Sequence, residues 1–112
     1  MKLLTGIISE PIQTFILPID EEEATIKLQF APVVQQWFFN VIYNGVNVNG
    51  VKLSLGVLHL RDYNFPFDFI LQDTSNAGID PFQVDDFFTG RIKMYILDAV
   101  EMAAIRGYNV KV

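Results

Sequence analysis

The chain has 112 residues, 51% of them hydrophobic, with thirteen acidic side chains against eight basic and a net charge of −5. That length suits one domain, residues 1–112, built on one sizeable core. Eight basic residues scattered from Lys2 to Lys111 make no phosphate-tracking surface, so nucleic acid is not an expected partner. The absence of cysteine excludes disulfides and thiolate chemistry, and a single histidine, His59, excludes a site built from two imidazoles of one chain.

Taken in chain order, the opening Met1–Ile8 is apolar but is interrupted by Thr5 and Gly6 and stops at Ser9-Glu10-Pro11. It is too short for a secretory signal, and no later run approaches the 18 or so apolar residues that span a bilayer. A soluble chain without a membrane partner is expected. Gln13–Ile19 reads as extended, with Pro18 placing it near an edge. Glu21-Glu22-Glu23 reads as a solvated acidic turn. Thr25–Phe30 then alternates polar and apolar, putting Ile26, Leu28 and Phe30 on one face.

Gln35–Tyr43 puts Trp37, Phe39, Val41 and Tyr43 on one face and Phe38 and Ile42 on the other. Apolar residues on both faces predict a central strand, or one covered by another subunit. Asn44-Gly45 and Asn49-Gly50 both suit type I′ turns, whose central positions need positive φ. Short strands are expected at Val46–Val48 and Val51–Leu55, continuing in extended form at Val57–Leu60. Phe67–Gln72 alternates with Phe67, Phe69 and Leu71 on one side, Asp68 falling on the other.

From Asp73 to Phe88 the pattern gives way to Asp, Ser, Asn, Gly and Pro, an irregular stretch long enough to need a reason. Arg91–Leu97 restores alternation. Asp98–Arg106 has helix-forming residues, an acidic start and a following Gly107, which predicts a helix of one or two turns or a bulged strand continuation. Seven or so short, mostly antiparallel strands imply an all-β barrel or sandwich. The mean hydropathy of +0.29 is high for a small soluble monomer, and some of the surplus is expected to face a partner.

Candidate chemistry concentrates in the Asp73–Phe88 loop. Asp73, Asp80, Asp85 and Asp86 crowd it, but counting from Asp73 only the first, third and sixth positions fit a calcium loop. Asp73, Asn76 and Asp80 are instead expected to bond their own backbone and shape turns. His59, between Leu58 and Leu60, has no nucleophile arranged with it, and Ser9, Ser54 and Ser75 have no nucleophile-elbow context. No catalytic residue, metal or cofactor is expected. Phe82, Phe87 and Phe88 lie in this polar loop, where aromatic rings either fold back as plugs or anchor a partner.

The run Leu71-Gln72-Asp73-Thr74-Ser75-Asn76-Ala77-Gly78-Ile79-Asp80-Pro81, then Asp85-Asp86-Phe87, then Gly90-Arg91-Ile92-Lys93-Met94-Tyr95, resembles the cyanophage-type baseplate plug proteins of contractile-tailed phages and prophages. Upstream, Pro11–Phe15, the Trp37–Val41 strand and the turn-rich Asn44–Val51 stretch extend the likeness to about Leu3–Leu97. The resemblance implies a structural tail-tip component, made in the host cytoplasm and carried in the virion. It also implies partners among other baseplate and hub proteins and copies of itself, without catalysis or cofactor. On that view Asp73, Asp80, Phe82, Asp85, Asp86, Phe87 and Phe88 form the candidate interaction loop, with Phe87 and Phe88 as anchors. The rival readings are a small-ligand β-barrel and an enzyme using the acidic loop.

Overall fold

A computed structural model describes residues 1–110; Lys111 and Val112, part of the expected single domain, lie outside the described residues. Among the described residues, seven strands form two antiparallel sheets. Strands β2 (Ile12–Ile19), β3 (Glu22–Ala31), β4 (Gln36–Tyr43) and β5 (Val46–Lys52) make a meander in the order β2-β3-β4-β5. Strands β1 (Lys2–Leu3), β6 (Phe67–Asp73) and β7 (Ile92–Asp98) make the second sheet in the order β1-β7-β6. The sheets do not close on one another, so the fold is a sandwich. The shortest dimension, 22 Å, is that of two sheets stacked about 10 Å apart with their outer side chains.

Alternation explains the core. In register, Ala24, Ile26, Leu28 and Phe30 of β3 face Tyr43, Val41, Phe39 and Trp37 of β4. Ile26, Leu28, Trp37, Phe39 and Val41 are wholly buried. The second sheet answers with Phe67, Phe69 and Leu71 from β6 and Ile92 and Met94 from β7. Aromatic edges lock the layers: Phe39 meets Phe69 at 5.7 Å and Tyr43 meets Phe67 at 5.1 Å between ring centroids, both nearly perpendicular.

The turns follow residue chemistry, with three departures from expectation. Asn44 and Gly45, at φ 50° and 78°, form the predicted turn between β4 and β5. Asn49-Gly50 does not form a second hairpin. It sits inside β5, where the pairing shifts between Phe39 and Val41, and the Gly50 amide donates to the Asn40 side chain at 2.7 Å. The positive φ that Asn-Gly favours is spent on a bulge (Gly50 φ 68°) that keeps β5 in one piece. The acidic turn is Asp20-Glu21, Asp20 taking φ 55°, while Glu22 and Glu23 already belong to β3.

A further departure is at Val57–Leu60, which belongs to a loop over 57–66 rather than to a strand. Its Leu60 amide donates to Asp68 Oδ1 at 2.8 Å, and this loop buries Asp68, which alternation had placed on the open side of β6. His59 also serves the loop. Its Nδ1 bonds the Phe69 carbonyl at 2.8 Å, and Nε2 accepts the Ser54 amide at 2.9 Å.

Helix α1 (Ala99–Val110) follows β7 directly, runs past Gly107, and packs on β7 and β6 with Met102 buried. It starts on a capping box: the Glu101 amide donates to Asp98 Oδ1 at 2.8 Å and the Asp98 amide to Glu101 Oε1 at 3.1 Å. The terminal amino group of Met1 also pairs with Glu101.

Candidate functional site

The seven predicted site residues lie together, Asp73 as the last residue of β6 and the other six in the segment between β6 and β7. That segment is organised by a residue that sequence reasoning passed over, Arg91. Its guanidinium makes five hydrogen bonds, one for each donor that Arg possesses. Nε and a terminal nitrogen bond the two Asp86 oxygens, both at 2.9 Å, as a bidentate fork. The remaining donors reach the Asp80 carbonyl at 3.1 Å, the Ile79 carbonyl at 3.1 Å and Asp73 Oδ2 at 3.3 Å. The Phe82 ring lies 5.1 Å from the guanidinium carbon, within cation–π range.

Each carboxylate is committed to its own task. Asp73 Oδ1 takes the Ser75 amide and hydroxyl, and Oδ2 takes the Ile79 amide, so it shapes the first turn as expected of an Asx residue. The Ser75 hydroxyl, the Ser75 and Ile79 amides and Arg91 together lower its carboxyl against the opposing desolvation. Asp86 is buried, which pushes its carboxyl up. The Arg91 fork and the amides of Gln83 and Phe82 on Oδ2 outweigh that and hold it below the usual carboxylate value. The guanidinium of Arg91 is raised in turn, chiefly by Asp86.

Asp80 reaches away from its own turn, accepting the Leu55 amide from the stretch after β5 at 2.9 Å and facing Lys52, the last residue of β5, at 3.5 Å. Asp85 contributes its backbone carbonyl to the Thr89 amide. The acids with shifted values are held ionised and occupied, whereas a general acid poised near neutrality needs its value raised. Among the described residues, no group of three or more His, Cys, Asp or Glu side chains is placed to hold a metal ion.

The three loop aromatics separate. Phe87 is buried with its ring edge-on to Trp37 at 5.2 Å, and the Trp37 indole donates to the Gln83 carbonyl at 2.9 Å. It plugs the sandwich end. Phe88, its neighbour, points outward and is 64% exposed, and Phe82 is 36% exposed on the Arg91 guanidinium. Phe88 borders an apolar cleft of about 390 Å³ that also takes in Leu3, Ile7 and Met94. The arrangement is a rigid cap presenting two rings to solvent. The signal that could have found Arg91 was charge balance: four Asp precede it in the loop, and it is the first base after them.

No curated protein matches the chain. A family model does, over residues 3–99, which takes in both sheets, the Arg91-centred loop and the start of α1. The chain belongs to the family described as cyanophage baseplate Pam3 plug gp18.

Proposed function

We propose that this protein is a structural subunit of a contractile phage or prophage tail baseplate, packing around the central hub at the tail tip and catalysing nothing itself. The family match across residues 3–99 carries the reading. It is made in the host cytoplasm and enters the virion by contact with other baseplate and hub proteins and with its own copies. The Asp73–Phe88 cap is the contact surface, with Phe88 and Phe82 as its outward anchors. An aromatic ring held out by a rigid loop loses little side-chain entropy on docking and is the kind of residue that dominates interface energies.

The test is Phe88→Ala in the phage or prophage itself. Because Phe88 is mostly solvent-exposed, the variant keeps wild-type melting behaviour. The expected result is tails that lack the protein or stop short of complete particles. Particles of normal yield and composition would remove Phe88 from the interface.

A further inference from the structure

The open edge of the four-stranded sheet carries a second surface. β2 ends the order β2-β3-β4-β5, and among the described residues no strand pairs with its other side. The Phe30 amide donates to the Pro11 carbonyl, which makes Pro11 and Phe30 a hydrogen-bonded pair of the antiparallel ladder. Such pairs alternate, so odd-numbered residues of β2 bond to β3 and even-numbered ones turn their backbone groups outward. Ile12, Thr14 and Ile16 therefore offer N–H and C=O to a docking strand, while Pro18, which has no N–H, leaves the ladder with β3 intact but offers a docking strand no donor at that end. Lys side chains, inward charges or Pro normally guard such an edge, and here Pro18 does so only near the Ile19 end. β2 has no charged residue from Ile12 to Ile19, and Ile12 and Ile16 are 60% and 62% exposed.

Beside this edge the two sheets gape. A groove of about 820 Å³ lies between β2 and β1, lined by Phe15, Leu17 and Ile19 on one wall and Leu3 and Ile96 on the other. Asp20 closes one end and leads into the exposed Glu21, Glu22 and Glu23. A second copy of this chain is a poor occupant. Pairing β2 with itself about Thr14 sets the two grooves mouth to mouth and leaves both unfilled. It also brings Glu10 of each copy to Pro18 of the other, with Glu23 on the far side of Pro18 about 10 Å away, so like charges gather at that end and, among the described residues, none is paired.

We infer that β2 is completed by an extended segment of a different protein, added antiparallel, with alternate apolar side chains in the groove and Lys or Arg at its N-terminal end against Asp20–Glu23. Antiparallel addition puts the start of the incoming strand at the Ile19 end, which is why the basic residues belong there. That the segment comes from a baseplate neighbour rests on the proposed function; the strand binding is a property of the isolated protein and is tested on it alone.

The probe is the capped peptide Lys-Lys-Thr-Val-Thr-Val-Thr-Val, with a control in which the two Lys are Glu. Both are titrated at low salt into isotope-labelled protein while amide exchange is followed by NMR. The inference predicts slowed exchange at Ile12, Thr14 and Ile16 with the Lys peptide, and binding of the Glu peptide weaker by about tenfold or more. Thr14→Pro, at an outward-facing position like Pro18, should fold and lose binding; Ile16→Lys, on an exposed side chain, gives the same loss should Thr14→Pro misfold. Unchanged exchange at the three amides, equal binding of both peptides, or protection in the free protein that grows with its concentration would each overturn it. None of these outcomes bears on whether the protein sits in the baseplate.

Discussion

Arg91 is the residue on which the end cap depends. Its partner Asp86 is buried and bonded on both oxygens, so removing the guanidinium strands a carboxylate out of water. Arg91→Met should cost about 3 kcal/mol, the lower end for breaking a buried pair, because Arg91 keeps some contact with solvent. Arg91→Lys should recover little, since an ammonium cannot form the fork and reach the Asp80 and Ile79 carbonyls together. Asp85→Asn should fall within about 0.5 kcal/mol of wild type. Urea midpoints of the three variants check this ordering, and a stable Arg91→Met protein would refute it.

His59 gives a second prediction at this scale. Burial lowers its value below 6.5, against smaller opposing effects from the Phe69 and Ser54 backbone and from Asp68 and Asp80. In the fold it is neutral, since Nε2 accepts the Ser54 amide. The unfolded chain therefore binds the proton more readily, and the stabilisation is complete above pH 6.5 and is lost as pH falls through the lower folded value. Asp73 and Asp86 are lowered from 3.8, so their contribution is lost only further down. His59→Gln should flatten the stability profile just below pH 6.5 and leave the more acid loss in place, measured by urea unfolding across pH. Neither role follows a strand or helix period: His59 bonds Phe69 ten residues on in β6, and Arg91 bonds Asp86 five residues back and Asp73 eighteen back, spacings that only the folded loop brings together.

Among the elements, β2, β3, β4, β6 and β7 were readable because each has one face in the core and a period of two. Pro18 marked the edge through its missing donor, and Trp37 to Tyr43 marked the centre. The two-residue β1 carries no period at all and exists through its pairing with β7, including Lys2 with Ile96. Asp68 was misplaced because alternation assumes an open second face, and the 57–66 loop covers it. At Asn49-Gly50 the residue preference was right and the element wrong, since a bulge and a hairpin turn both use positive φ. Gly50→Ala isolates that preference: no atom lies within 4 Å of the added methyl, so only the backbone conformation is strained. The expected loss is about 1 kcal/mol with the sheet intact, read by chemical denaturation. A neutral outcome would show that Gly50 does not need its left-handed conformation.

For the whole molecule, part of the apolar surplus lies on the aromatic end cap and the unpaired β2 edge, and more is exposed elsewhere, at Val33 and Val34 between β3 and β4 and at Val100 on α1. The cap was legible as a loop too rich in Phe for its polarity, although burial of Phe87 could not be told from exposure of Phe88 without the fold. The β2 edge was legible only as Pro18. A small protein showing two such surfaces is suited to a place among neighbours rather than to free existence. The most direct test counts this chain against the sheath protein by quantitative mass spectrometry of purified tailed particles. A small, fixed number of copies in every preparation is the predicted result. Its absence from intact, infectious particles would contradict the assignment to the baseplate.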